Sequence, residues 1–185
     1  MKTGVLMVLA VGALAGMAFL YHQHRHAASG GPVAHVRSEF EFTVHAPYQV
    51  AAPLFGPEGE RGWAQGHWDP HFLYPQPAQD IQGAVFTIRH GHHHAYWINT
   101  SLEMEARHFQ YVYLIPDAMV VLIDIHFSEI DAANTKVKVA YERTALNADA
   151  NEHVRRAGNA DRDNGKEWGT VINDYLAKPR AAVQR

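Results

Sequence analysis

Histidine is the residue type to ask about first. The chain carries 14 of them in 185 residues, and neutral imidazole is the commonest side-chain ligand for zinc, copper and nickel. The densest group is His90-Gly91-His92-His93-His94. Side chains alternate along an extended backbone, so His92 and His94 share a face and could hold one ion together. The group falls at an expected hairpin turn and no carboxylate adjoins it. A polar, exposed turn is the simpler account, and no metal ligand is assigned. His67 and His71 flank Trp68-Asp69-Pro70. Four-residue spacing joins side chains on a helix, but Gly66 and Pro70 disfavour a helix here. His67, Asp69 and His71 are therefore an acid–base candidate at a pocket mouth, set against plain hydrogen bonding inside a loop.

Glu60 and Arg61 adjoin Trp63. A charge pair at that place orders a loop, and the other reading has Arg61 hold the acidic head of a ligand. Tyr111, Tyr113, Tyr141 and Trp168 each present an apolar body with one polar handle, which suits a pocket for a mostly apolar molecule. Core packing is the alternative for each. Arg143 shares a strand face with Val139 and Tyr141. If that face is buried, its guanidinium needs a carboxylate or a ligand. Other chemistries are poorly supported. There are four serines and none stands in a nucleophile elbow. Dinucleotide fingerprints, P-loops and zincin motifs are absent. With no cysteine, thiolate metal sites, disulfides and a cysteine nucleophile are excluded. A net charge of −3 and a pI near 6.5 give no footprint for nucleic acid. Nothing in the chain calls for a cofactor.

The elements that must position these groups are readable from period. Residues 35–45 alternate, with Val36, Phe40, Phe42 and Val44 on one face and Arg37, Glu39, Glu41 and Thr43 on the other. That is a half-buried antiparallel strand. Pro47–Phe55 suits a short helix with proline in its first turn. The stretch from 58 to 75 crowds Trp63, Trp68, Phe72 and Tyr74 among glycines and prolines. It reads as an ordered loop folded over an apolar interior, a lid in form. Strand signals recur over 83–90, 95–100, 107–115, 119–129 and 135–146, joined by short turns, which is a meander of hairpins. In the strand over 119–129, Asp124 and His126 lie on the polar face. From Asp149, with Glu152 at capping-box spacing, Val154, Ala157, Trp168, Val171, Ile172, Tyr175 and Leu176 recur at helical intervals. The polar, glycine-bearing 158–165 segment invites a bend. The sum is an α+β two-layer domain.

The N-terminus is a separate object. Gly4 to Tyr21 carries no charge and just meets the length of about 20 residues that spans a bilayer. We read 1–21 as a membrane anchor or a signal segment, with Ala13-Leu14-Ala15 as a cleavage candidate. Lys2 precedes the run and Arg25 is the first fixed charge after it. That favours a cytoplasmic N-terminus and a domain on the periplasmic side, or export after cleavage. Residues 22–32 form a linker, 33–178 the folded domain and 179–185 a tail.

Within the domain, Glu58-Gly59-Glu60-Arg61 with Trp63, then Trp68-Asp69-Pro70, Phe72 and Pro75, resembles a bacterial branch of the SRPBCC superfamily of undefined function. Val139-Ala140-Tyr141-Glu142-Arg143-Thr144-Ala145-Leu146 is similar to that branch's last strand. The superfamily includes START lipid-transfer domains and polyketide cyclases, and the resemblance covers nearly all of 33–178. It implies a helix-grip fold, in which a curved antiparallel sheet of about six strands wraps a long C-terminal helix around an apolar cavity. It supplies no catalytic residues. The expected function is binding, and possible transport, of a hydrophobic small molecule or lipid. The expected ligand contacts are Trp63, Trp68, Phe72, Tyr111, Tyr113, Tyr141, Arg143 and Trp168. The alternatives are a cyclase- or hydrolase-type enzyme using His67, Asp69 and His71, and a histidine-based metal-binding protein.

Overall fold

The alternating segments pair into one seven-stranded antiparallel sheet: β1 (His35–Val44), β2 (His71–Tyr74), β3 (Val85–His90), β4 (His93–Glu103), β5 (His108–Ile115), β6 (Met119–Asp131) and β7 (Asn134–Ala145). A computed structural model describes residues 31–64, 68–90 and 93–178. The hydrophobic segment 1–21, most of the linker and the tail lie outside those residues, and so do the expectations of an anchor or signal. No helix among the described residues is long and apolar enough to cross a membrane.

The spatial order is β1-β7-β6-β5-β4-β3-β2. First and last strands are thus neighbours, with Phe40 opposite Val139 and Phe42 opposite Val137. Because β1 and β2 lie at opposite ends of the sheet, the chain between them must cross its whole width. It does so through a short helix α1 (Tyr48–Ala51), a 3-10 turn (Ala52–Phe55) and a second short helix α2 (Pro57–Glu60). Alternation gives the sheet one apolar face. Val121, Ile123, Ile125 and Phe127 of β6 are buried with Val137, Val139 and Tyr141 of β7. Register shifts at Asn99/Ser101 and Glu129/Asp131 bend the sheet as bulges do.

The long helix α3 (Asn151–Ala177) runs unbroken. Its glycines, expected to bend it, instead let it lie close on β1. A Cβ at Gly158 would strike Val36, one at Gly165 would press on Phe40 and the Glu41 carbonyl, and one at Gly169 would crowd Phe42. Asparagines fasten both ends. Asn151 Oδ1 accepts from Ala34 N at 2.5 Å, and Asn173 Nδ2 donates to Thr43 O at 2.9 Å. The helix start also differs from expectation. Asp149 sits inside a 3-10 turn (Ala148–Ala150) that Asn147 caps by accepting from Ala150 N at 3.0 Å, and α3 follows with Ala150 at its N-cap and no side-chain cap. α3 therefore sits chiefly over β1, with a smaller contact to β7. The inner face of β3–β6 must be covered by something else.

The seventh strand comes from the aromatic stretch read as loop. Phe72 is buried and stacks on Phe86 of β3 at 5.4 Å. One buried ring is enough to pin a four-residue edge strand beside β3, but it leaves little alternation to read.

Candidate functional site

Between α3, the β1–β2 crossing and the open part of the sheet lies a cavity of about 730 Å³. That is within the usual range of small-molecule pockets. Its floor is Phe86 and Ile88 of β3, Trp97 of β4, Tyr111 and Tyr113 of β5, Ile123 and Ile125 of β6, and Tyr141 and Arg143 of β7. Trp168 and Val171 of α3 form one wall, and Glu60, Trp63 and Trp68 of the crossing form the other.

The segment Glu58–Trp63 shows why each residue is there. Glu58 accepts from Arg61 Nε at 2.8 Å. Gly59 must lack a Cβ, because one would collide with the Pro53 carbonyl. Arg61 also bonds Asp69 at 2.8 Å and the Pro70 carbonyl, which closes the loop on itself. Gly62 leaves room for the Tyr175 ring. Trp63 is buried, donates its indole N–H to Leu54 O at 2.7 Å and packs on Trp168 at 5.5 Å. Glu60, between these anchors, turns inward. It is 8% exposed and lines the cavity. Burial, reinforced by the charge of Asp80, holds its carboxyl well above the ordinary range. Desolvation is the larger cause, because an apolar site disfavours the charged form.

Across the cavity the aromatic rings are layered. Trp97 stacks on Tyr113 at 4.3 Å and on Phe86 at 5.8 Å, with Trp68 edge-on at 5.3 Å. Trp68 donates to Pro57 O at 2.8 Å, whereas the buried Trp97 Nε1 finds no acceptor among the described residues. Tyr111 donates to Phe55 O at 2.5 Å, and burial, then Glu60, pushes its hydroxyl far up. Burial likewise raises Tyr113, with Arg143 opposing, and Tyr141 further still.

Arg143 has the protein carboxylate that its buried face demanded. Its guanidinium grips Asp161 of α3 through both terminal nitrogens, one at 2.9 Å. Ser38 Oγ also donates to Asp161, and the guanidinium lies 4.2 Å over the Tyr141 ring. Its Nε has no partner among the described residues. This pair ties sheet to helix at the cavity's edge.

Seven of the eight expected ligand contacts line this space: Trp63, Trp68, Tyr111, Tyr113, Tyr141, Arg143 and Trp168. Phe72 does not line it, because its ring is spent behind the wall on Phe86. The sequence does not single out Glu60 or Trp97 as cavity groups: the adjacent Arg61 accounts for the charge of Glu60, and Trp97 falls inside the strand segment 95–100. Of the acid–base candidates, the two described residues, Asp69 and His71, do not line the cavity. Asp69 is 93% exposed at its side chain and held by Arg61, and His71 is exposed on β2. His67 lies outside the described residues, as does His92 of the expected metal pair. Among the described residues, the side chains that converge as metal ligands do are His108, Asp124 and His126.

An antiparallel sheet gripping a C-terminal helix around an aromatic cavity defines the helix-grip class of fold. No protein-family model matches the chain, and no curated protein matches it. Solved structures do. The norcoclaurine synthase of Thalictrum flavum in truncated form aligns with TM-score 0.60 and 10% identity, covering 81% of this chain and 98% of that one. The Zhui aromatase/cyclase of a Streptomyces species gives 0.56, 16%, 81% and 99%. An uncharacterized protein of Rhizobium leguminosarum gives 0.55, 17%, 78% and 96%. At such identities the likeness is one of fold, and the fold is the helix-grip. The Thalictrum enzyme has also been solved in complex with dopamine and hydroxybenzaldehyde.

Proposed function

We propose that this domain binds a mostly apolar small molecule in the cavity between sheet and α3. The supporting observation is the cavity itself, about 730 Å³ walled by aromatic rings, with polar side chains among its lining residues that include Glu60, Trp97, Arg143, Glu167 and the three tyrosines Tyr111, Tyr113 and Tyr141. Proteins of the same fold that take small molecules make the reading natural, though their ligands are their own. Burial of an apolar guest contributes about 25 cal/mol per Å², so roughly 200 Å² gives about 5 kcal/mol before ordering costs. A guest with one hydrogen-bonding end fits better than a bare hydrocarbon, because Trp97 Nε1 then gains an acceptor. Native mass spectrometry of the full chain from its own host tests this. We expect a retained compound that a fluorescent fatty acid displaces. A chain that always flies at its bare mass and binds no such probe rejects the proposal.

One observation favours a second reading, chemistry on the guest. A cavity-facing carboxyl whose pKa is raised by burial is suited to proton transfer, and Glu60 is such a group. The comparison is between compounds retained by the wild type and by Glu60→Gln. A mass difference between them supports turnover, and identical masses leave binding alone.

A further inference from the structure

On the outer face of the sheet, away from the cavity, two histidines stand directly opposite each other. His108 of β5 pairs with His126 of β6. Asp124 precedes His126 by two residues, so strand alternation returns it to the same face. His108 Nε2 lies 2.5 Å from Asp124 Oδ1, and His126 Nε2 lies 3.1 Å from Oδ2. The imidazoles are stacked, with centroids 4.6 Å apart and planes 15° from parallel. Two rings thus aim the same nitrogen at one carboxylate, and the three ligand atoms all lie within 4.8 Å of one another.

The neighbouring cations are committed elsewhere. Lys138, opposite His126 on β7, reaches Glu39 at 3.1 Å. Arg107 reaches Glu129 at 3.0 Å and lies over the Tyr48 ring. No described arginine or lysine therefore fills the centre of the cluster. His108 and Asp124 are half-buried and His126 is exposed, so solvent can complete a coordination shell. Tetrahedral ligation at about 2.0–2.1 Å sets ligand atoms roughly 3.3 Å apart. The present spacing reaches that with ring movements of about an ångström on a rigid two-strand frame.

We propose that His108, Asp124 and His126 form a surface site for a divalent transition metal ion, zinc, nickel or copper, with water in the remaining positions. Two imidazoles and one carboxylate suit these borderline ions and not magnesium or calcium, which want oxygen alone. This site does not depend on the cavity reading.

The test uses the full chain with every histidine at positions 22–26 and 90–94 changed to alanine, which removes the other clustered imidazoles. Titration calorimetry with Zn²⁺ should show one site, and Cu²⁺ should give an electron paramagnetic resonance spectrum with two equatorial nitrogens. His126→Gln and Asp124→Asn should each weaken Zn²⁺ binding at least tenfold and should abolish the zinc-induced rise in Tm. Loss of all binding in the alanine background overturns the proposal. So does undiminished affinity in both variants, each verified as folded by its far-ultraviolet circular dichroism. Should a variant not fold, the copper spectrum of the background chain decides, and fewer than two nitrogens overturns the site.

Discussion

Glu60 and Arg61 are adjacent in sequence and point to opposite sides of the wall they build. Arg61 faces out and binds Glu58, Asp69 and the Pro70 carbonyl. Glu60 faces in, with its carboxyl on the cavity. A charge pair expected from sequence is therefore two separate devices, one that closes a loop and one that puts an ionisable group among aromatic rings.

The inward carboxyl predicts a pH-dependent stability. Glutamate ordinarily titrates near 4.5, and the fold raises Glu60 well above that. The stability gained from its neutral form is fully present below the unfolded value. It is lost as pH rises through the folded value. Glu60→Gln cannot suffer that loss. Its Tm should match the wild type near pH 4 and exceed it at pH 8 by several degrees, since about 1 kcal/mol is worth roughly 2–4 °C in a domain of this size. Melts followed by circular dichroism across that range check it. A difference that shrinks with rising pH contradicts the burial.

The Arg143–Asp161 pair predicts a large single-site cost and a rescue. Both side chains are buried, at 7% and 4% exposure. Removing one partner strands a charge, which costs about 3–5 kcal/mol. Asp161→Ala should lose that much in urea unfolding. The double variant Arg143→Met, Asp161→Leu should recover most of it, because no charge is then left buried.

Gly59 predicts that one methyl group disorders the cavity wall. A Cβ there meets the Pro53 carbonyl, which is backbone and cannot rotate away. Gly59→Ala should cost about 1–3 kcal/mol. It should also weaken the near-ultraviolet signal of Trp63 and Trp68.

How much of this was legible depends on how far each signal reaches along the chain. β1, β6 and β7 announce themselves through long alternation, and α3 through its apolar stripe. β2 does not, since four residues flanked by prolines carry one buried ring. The cavity's aromatics were legible because clustered indoles and phenols demand an interior. Glu60 was not, because local charge pairing is visible in sequence whereas the turn imposed by Gly59 against Pro53 is tertiary. The 3-10 turn that takes Asp149 out of the capping position was hidden for a similar reason, since Asn147, which caps that turn, is held by donating to Asp117 O at 2.5 Å. The His108–Asp124–His126 cluster needs the β5–β6 register, which pairs residues far apart in sequence.

Trp97 separates a structural from a functional role for its indole N–H. The ring is fixed by Tyr113, Phe86 and Trp68, yet Nε1 is buried without an acceptor among the described residues. An orphaned donor costs about 1–3 kcal/mol in the folded state. Phenylalanine keeps a stackable ring and discards the donor. Against that gain stands the smaller ring, whose lost volume faces an existing cavity and so adds no new sealed void. Trp97→Phe should therefore be as stable as the wild type or more so when empty. If the N–H holds the polar end of a guest, the same change should weaken retention of the native compound about tenfold, the worth of roughly 1.4 kcal/mol. Melting of the empty chain, together with displacement of the retained compound by a fluorescent fatty acid, reads the two effects separately. A variant that loses stability while binding unchanged would show the donor to be satisfied within the protein, and the guest to be held by apolar contact alone.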